Sequence, residues 1–144
     1  MAIQRNALVD LIWTVHPYLY RWTSGRVGGY LMNMPVLLLT TTGRRSGHPR
    51  TQALLYLADG DNYVVIASCL GAPQHPAWCL NLRAHPTAEV QIGAQRIPVI
   101  AQEADGATRQ WLWDVIVARQ PEYAAYQQRT TRRIPIVVLT PQAL

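Results

Sequence analysis

Apolar side chains recur along the chain at two different spacings. Leu8, Leu11, Ile12 and Val15 fall at helical spacing with Asp10 and Thr14 off the stripe, which predicts an amphipathic helix within residues 4–22, kinked or ended at Pro17. Residues 18–30 pass through Gly25, Gly28 and Gly29 and read as a linker. Residues 35–42 and 51–58 are β-type runs, and residues 62–69 form a third after the Asp59-Gly60-Asp61 turn, so a meander is expected. A loop over 71–74 leads to Pro76 at a first helical position and a short helix through Trp78, Leu80 and Leu82. Residues 87–92 and 95–103 make a hairpin across Gly93-Ala94, with Val90, Ile92, Ile97, Val99 and Ala101 alternating with polar neighbours. Trp111, Leu112, Val115 and Ile116 give another helical stripe, Pro121 breaks it, residues 122–129 form a short helix, and residues 134–140 form a final strand.

Six strands, mostly in hairpins with helices inserted rather than alternating, argue against a doubly wound sheet. The expectation is a mainly β, α+β domain built on a six-stranded antiparallel barrel, closed or partly open. At 144 residues the chain is one domain, and 49% hydrophobic against 15% charged residues suits a packed core rather than disorder. No window of eighteen residues is free of polar interruption, so no membrane span is expected. Trp13, Tyr18, Tyr20 and Trp22 leave peripheral membrane contact open beside the favoured reading of a helix packed on its own domain. Cys69 and Cys79 are too few for a disulfide framework and lack metal-site spacing, which fits a reducing cytoplasm.

Charge narrows the partners. All thirteen basic residues are Arg, against eight acids, for a net charge of +5, so an anionic partner is expected. Three of them, Arg44, Arg45 and Arg50, lie with Ser46 in a glycine-bounded turn, Thr40-Thr41-Thr42-Gly43-Arg44-Arg45-Ser46-Gly47-His48-Pro49-Arg50. Planar guanidinium forks, hydroxyls and backbone N–H groups at this density can grip phosphate or carboxylate oxygens, though a solvated hairpin tip would look similar. These Arg have no aromatic residue between them, which counts against nucleic-acid binding.

The common catalytic signatures are missing: no nucleophile elbow, phosphate-binding loop, zinc-protease motif or dinucleotide fingerprint appears, and no metal site is expected. Reactivity would then come from a bound cofactor. Besides the basic turn, two stretches can build a cleft: Ala67-Ser68-Cys69-Leu70-Gly71-Ala72 at a strand end, and Pro76-Ala77-Trp78-Cys79-Leu80-Asn81-Leu82. Trp78 and Asn81 share a helix face, as do Tyr123 and Tyr126; either pair can face a ligand or simply pack.

In order and spacing these segments resemble the deazaflavin-dependent nitroreductase family, FMN-binding-like split β-barrel oxidoreductases that use coenzyme F420. The match covers most of the chain: Leu39 to Gly47 with Arg50, Ala67-Ser68, Gly71-Ala72, Pro76 with Trp78, Asn81 and Leu82, then Tyr123, Tyr126, Thr130, Arg132 and Ile134-Pro135-Ile136. The resemblance implies that Arg44, Arg45, Ser46 and Arg50 hold the cofactor's phosphate and poly-glutamate tail. It implies that Gln52, Ala53, Leu54, Leu55, Ile66, Ala67, Ser68 and Cys69 line the deazaflavin ring, and that Ala77, Trp78 and Asn81 support the phosphate end. It also implies that Tyr126, Tyr123 and Ser68 face the substrate and assist hydride transfer to a quinone, enone or nitro compound. The sequence departs from the family at Ala53, where Pro is frequent, at Cys69, where Lys is frequent, and at Gln120, where the nitroreductase branch can carry Tyr. These departures keep a non-catalytic F420-binding or carrier role as the alternative.

Overall fold

A computed structural model describes residues 30–31 and 34–142. The helix expected within residues 4–22 lies outside them. Seven strands run β1 (Tyr30–Leu31), β2 (Met34–Thr42), β3 (Pro49–Asp59), β4 (Asn62–Ile66), β5 (Thr87–Ile92), β6 (Gln95–Glu103) and β7 (Ile136–Pro141). Among the described residues three helices are interposed: α1 (Ala77–Ala84), α2 (Gly106–Arg119) and α3 (Glu122–Gln128). The sheet order is β1-β2-β3-β4-β7-β6-β5, and an additional β2–β5 pairing closes six strands into an antiparallel barrel. β1 is a two-residue pairing onto the start of β2 that the sequence pattern did not predict.

Strand alternation builds the two layers of the core. Directly opposed residues in antiparallel strands share a face, so the register Leu37↔Leu54, Leu39↔Val90, Tyr56↔Val65, Val65↔Val137 and Ala101↔Leu139 fills the barrel interior. Helix α1 plugs that interior with Trp78, Cys79 and Leu82. On the outside, Leu57, Val64, Ile66 and Ile136 pack against Leu112 and Ile116 of α2 and Tyr123 and Tyr126 of α3. The α2 stripe differs from expectation at one position. Leu112 and Ile116 are buried as expected, whereas Trp111 is 55% exposed and Arg109, over the Trp113 ring at 5.8 Å, takes a buried place.

Two boundaries depart from the sequence pattern for a physical reason. The third strand was expected to reach Cys69 but ends at Ile66, because its partner β7 begins only at Ile136. Pro135 can accept the Ala67 N–H, at 2.9 Å, but has no N–H to return, so the ladder cannot continue. The chain then turns through a short 3₁₀ segment, Cys69–Gly71.

Candidate active site

Beyond the point where the third strand ends, the barrel wall opens. The β3–β4 register runs from Asp59↔Asn62 to Tyr56↔Val65 and stops, while β3 continues to Pro49 paired only with β2. Among the described residues, the edge of β3 over 49–55 that faces away from β2 therefore has no strand beside it. Its amides and carbonyls are available to a ligand, as at any open sheet edge. The two segments that diverge there are 52–55 and 66–69, which are the two predicted to line the ring. Alternation divides their side chains: Gln52 and Leu54 stand opposite Leu39 and Leu37 on the interior face, and Ala53 and Leu55 stand opposite Leu38 and Val36 on the outer face. Ile66 is likewise on the outer layer and Ala67 on the inner.

One end of the split is the basic turn, whose shape is set from within and from below. The Gly43 N–H donates to the His48 carbonyl at 2.9 Å and the Gly47 N–H to the Gly43 carbonyl at 2.8 Å. Ser46 Oγ accepts the His48 N–H at 3.1 Å and Arg50 Nη2 at 3.4 Å. A side chain at Gly43 would begin 2.6 Å from Ser46 Oγ and 3.1 Å from the His48 carbonyl oxygen, so it would push the Ser46 hydroxyl out of its place in the turn. From below, Asn81 Oδ1 accepts both the Arg44 N–H at 3.1 Å and Arg44 Nη1 at 3.2 Å, and Asn81 Nδ2 donates to Thr41 Oγ1 at 3.1 Å. Asn81 is only 3% exposed and Thr41 2%, so this is a buried polar link from α1 to the turn. Arg44 is thereby half-buried and aimed, while Arg45, Ser46 and Arg50 are exposed. Helix α1 is anchored again by Arg83, which makes a two-pronged ion pair with Glu103 at the end of β6.

The other end is the turn after β4. Cys69 and Leu70 hold φ of 44° and 55°, and Gly71 holds 81°. Helix α3 packs so closely here that a side chain on Gly71 would begin 2.6 Å from the Tyr126 carbonyl oxygen. Arg129 donates to the Leu70 carbonyl at 3.1 Å and lies over the Tyr126 ring at 5.5 Å. Tyr123 and Tyr126 meet edge to face, centroids 5.7 Å apart, and are 6% and 2% exposed. Burial, with Tyr126 and Glu122 adding to it, pushes the Tyr123 phenol well above the usual tyrosine range. Ser68, just before this turn, is buried, and its carbonyl accepts the Gly71 N–H at 2.8 Å and Arg132 Nη2 at 2.8 Å.

The predicted site residues thus fall into groups. Arg44, Arg45, Ser46, Arg50 and Asn81 form one polar unit. Trp78 shares the buried side of α1 with Asn81 but its ring packs into the barrel core, and Ala77 lies exposed at the start of that helix. Tyr123 and Tyr126 belong to the outer packing layer. Arg132, which the sequence offers only as one residue of the family pattern, ties the segment 67–75 together through four hydrogen bonds. Nothing in its sequence neighbourhood signals that role, because its partners lie far away along the chain.

Residues 13–141 match the family described as F420H(2)-dependent quinone reductase. An F420H(2)-dependent quinone reductase of Mycobacterium tuberculosis is 39% identical over 142 residues, covering 96% of this chain and 95% of that protein. Among solved structures, an F420-H2 dependent reductase of the FDR-A type superposes with a TM-score of 0.67 at 39% identity, over 73% of this chain and 93% of the other. A second, described as a domain-swapped dimer, superposes with a TM-score of 0.69 at 32% identity, over 92% of this chain and 99% of the other.

Proposed function

The chain belongs to the F420H(2)-dependent quinone reductase family, and we propose that it reduces a quinone with its basic turn holding the cofactor's acidic tail and its wall split holding the ring. It is an oxidoreductase and its cofactor is coenzyme F420. When bound in reduced form, that cofactor supplies a hydride from a ring carbon; the residues of this chain supply position.

The observation that carries the reading is the buried Asn81 link. A solvated hairpin tip needs no such support, whereas an anion clamp gains from an arginine whose direction is fixed before the ligand arrives. The donor set also fits the tail chemically. Three guanidinium groups and the Ser46 hydroxyl stand in residues 43–50 without a single carboxylate. The edge of β3 beside which no described strand lies suits the rim of a planar, hydrogen-bonding ring.

For the acceptor side we assign Ser68, Tyr123 and Tyr126. The raised Tyr123 pKa keeps its phenol neutral and a weak acid, so its role toward the acceptor is to donate a hydrogen bond rather than to hand over a proton. Both tyrosines are almost fully buried, 6% and 2% exposed, and act from within the outer packing layer. Enones and nitro compounds share the electrophilic character of quinones and belong to the same proposal. Holding donor and acceptor in contact lowers such a barrier by roughly 7–11 kcal/mol in well-oriented systems, without an ionised catalytic side chain.

The test is a fluorescence titration with oxidised F420, FMN and FAD in parallel, followed by turnover of reduced F420 with menadione, a cyclohexenone and a nitroimidazole. F420 should bind tightest and menadione should be turned over. Preference for FMN would overturn the cofactor placement, and turnover of the nitroimidazole alone would overturn the quinone assignment.

A further inference from the structure

Three consecutive residues after β4, Cys69, Leu70 and Gly71, sit in the left-handed region, and two of them carry side chains. Such a run persists only where its surroundings over-determine it. Its internal bonds are few: the Gly71 N–H donates to the Ser68 carbonyl at 2.8 Å and the Ala72 N–H to the Cys69 carbonyl at 3.0 Å. From outside, Arg129 donates to the Leu70 carbonyl at 3.1 Å, and the largest set of contacts comes from Arg132, in the segment between α3 and β7. Its Nε donates to the Ala72 carbonyl at 2.9 Å, Nη2 to the Ser68 carbonyl at 2.8 Å, and Nη1 to the Ala67 carbonyl at 3.0 Å. Nη1 also lies 2.9 Å from His75 Nδ1. A rigid planar fork thus fixes the carbonyls on both sides of the turn at once, which a lysine cannot do. Arg132 is itself held, because Gln127 Nε2 donates to its carbonyl at 2.7 Å and Gln127 Oε1 accepts the Ile134 N–H at 3.0 Å.

We propose that Arg132 is a positioning residue for cofactor binding, clamping the Ala67, Ser68 and Ala72 carbonyls and His75 so that the turn beside the barrel split keeps one backbone shape. This rests on the reading that the split takes the deazaflavin ring. His75 makes the clamp sensitive to pH. Arginine has no acceptor, so Nδ1 must be the unprotonated nitrogen of His75, and a second proton would face the guanidinium directly. Burial first, then Arg132 and Arg83, hold the imidazole below its ordinary range. Glu103 pulls the other way but is engaged by Arg83. The clamp is therefore whole near neutral pH and loses its His75 leg in acid.

Hydrogen exchange over residues 67–75 and F420 titrations, each on the wild type, Arg132→Lys, Arg132→Gln and His75→Gln, test this. Without cofactor, Arg132→Gln should exchange about tenfold faster at the Gly71 and Ala72 amides, with Arg132→Lys between it and wild type. The F420 dissociation constant should rise about tenfold in Arg132→Gln, with the menadione rate at saturating cofactor changed less than about twofold. Between pH 7.5 and 5.5 wild-type affinity should fall, while His75→Gln, which keeps an acceptor but cannot titrate, should stay flat. Unchanged exchange in Arg132→Gln, or faster exchange with unchanged affinity, overturns the proposal. Should Arg132→Gln not fold, Arg132→Lys and the His75→Gln pH profile decide in the same way. If wild type fails to bind F420 while Arg132→Gln still speeds exchange, the cofactor reading falls and the clamp stands.

Discussion

Asn81 does its work by being buried. Its carboxamide satisfies Thr41 below and directs Arg44 above, so replacing it with Leu of similar size leaves both partners unsatisfied at the barrel end. The expected cost is about 1–3 kcal/mol of folding stability. F420 affinity should fall in the same variant even at temperatures where it is fully folded; thermal denaturation and titration on one sample measure both. Tyr126 is a different kind of residue, because its ring is part of the outer core while its proposed role is at the acceptor. Tyr126→Phe should keep the packing and lower the oxidation rate of reduced cofactor with quinones. Equal rates with several acceptors would remove the tyrosine from the chemistry.

At the scale of elements, the turn after β4 is the part least free to change. Gly71 has φ of 81° and no space for a side chain, so Gly71→Ala should lose about 1–3 kcal/mol or more, read from denaturant melts. The same turn brings a pH dependence through His75, whose pKa is lowered in the folded protein. The unfolded chain therefore takes up the proton first as pH falls below 6.5. Stability is fully present above that value and declines as pH drops toward the lowered one, by linkage. Melting temperatures at pH 7.5, 6.5 and 5.5 should fall in that order, and His75→Gln should flatten the trend. The strands were legible because alternation is a local property: Val90, Ile97 and Val99 announce an inner face without reference to anything distant. The split was not legible, since it depends on the β3–β4 pairing stopping at Tyr56↔Val65 while β3 runs on, and the turn beside it on Pro135, distant in sequence, ending the β4–β7 ladder. Trp111 misled for a related reason, as helical spacing marks a stripe but not which of its members the sheet reaches.

For the molecule as a whole, the excess of Arg becomes intelligible once the anion is a cofactor tail rather than a polymer. Residue type and density mark the basic turn as a candidate clamp and leave a solvated hairpin equally open; its support by Asn81, its relation to the open edge of β3 and the Arg132 contacts all need the folded chain. Among the described residues no helix is long and apolar enough to cross a membrane. If the tail is held by exposed arginines, F420 affinity should weaken as salt rises, because exposed charges are screened within about 8–10 Å at physiological ionic strength. A deazaflavin lacking phosphate and glutamates should show little such dependence. The central claim is that the turn grips and the split reacts, and Arg50→Ala tests it most directly when cofactor affinity and the saturated rate with menadione are measured together. Affinity should fall by about 1.5–3 kcal/mol, roughly tenfold to a hundredfold, with the saturated rate unchanged. A large loss of the saturated rate with affinity intact would contradict it.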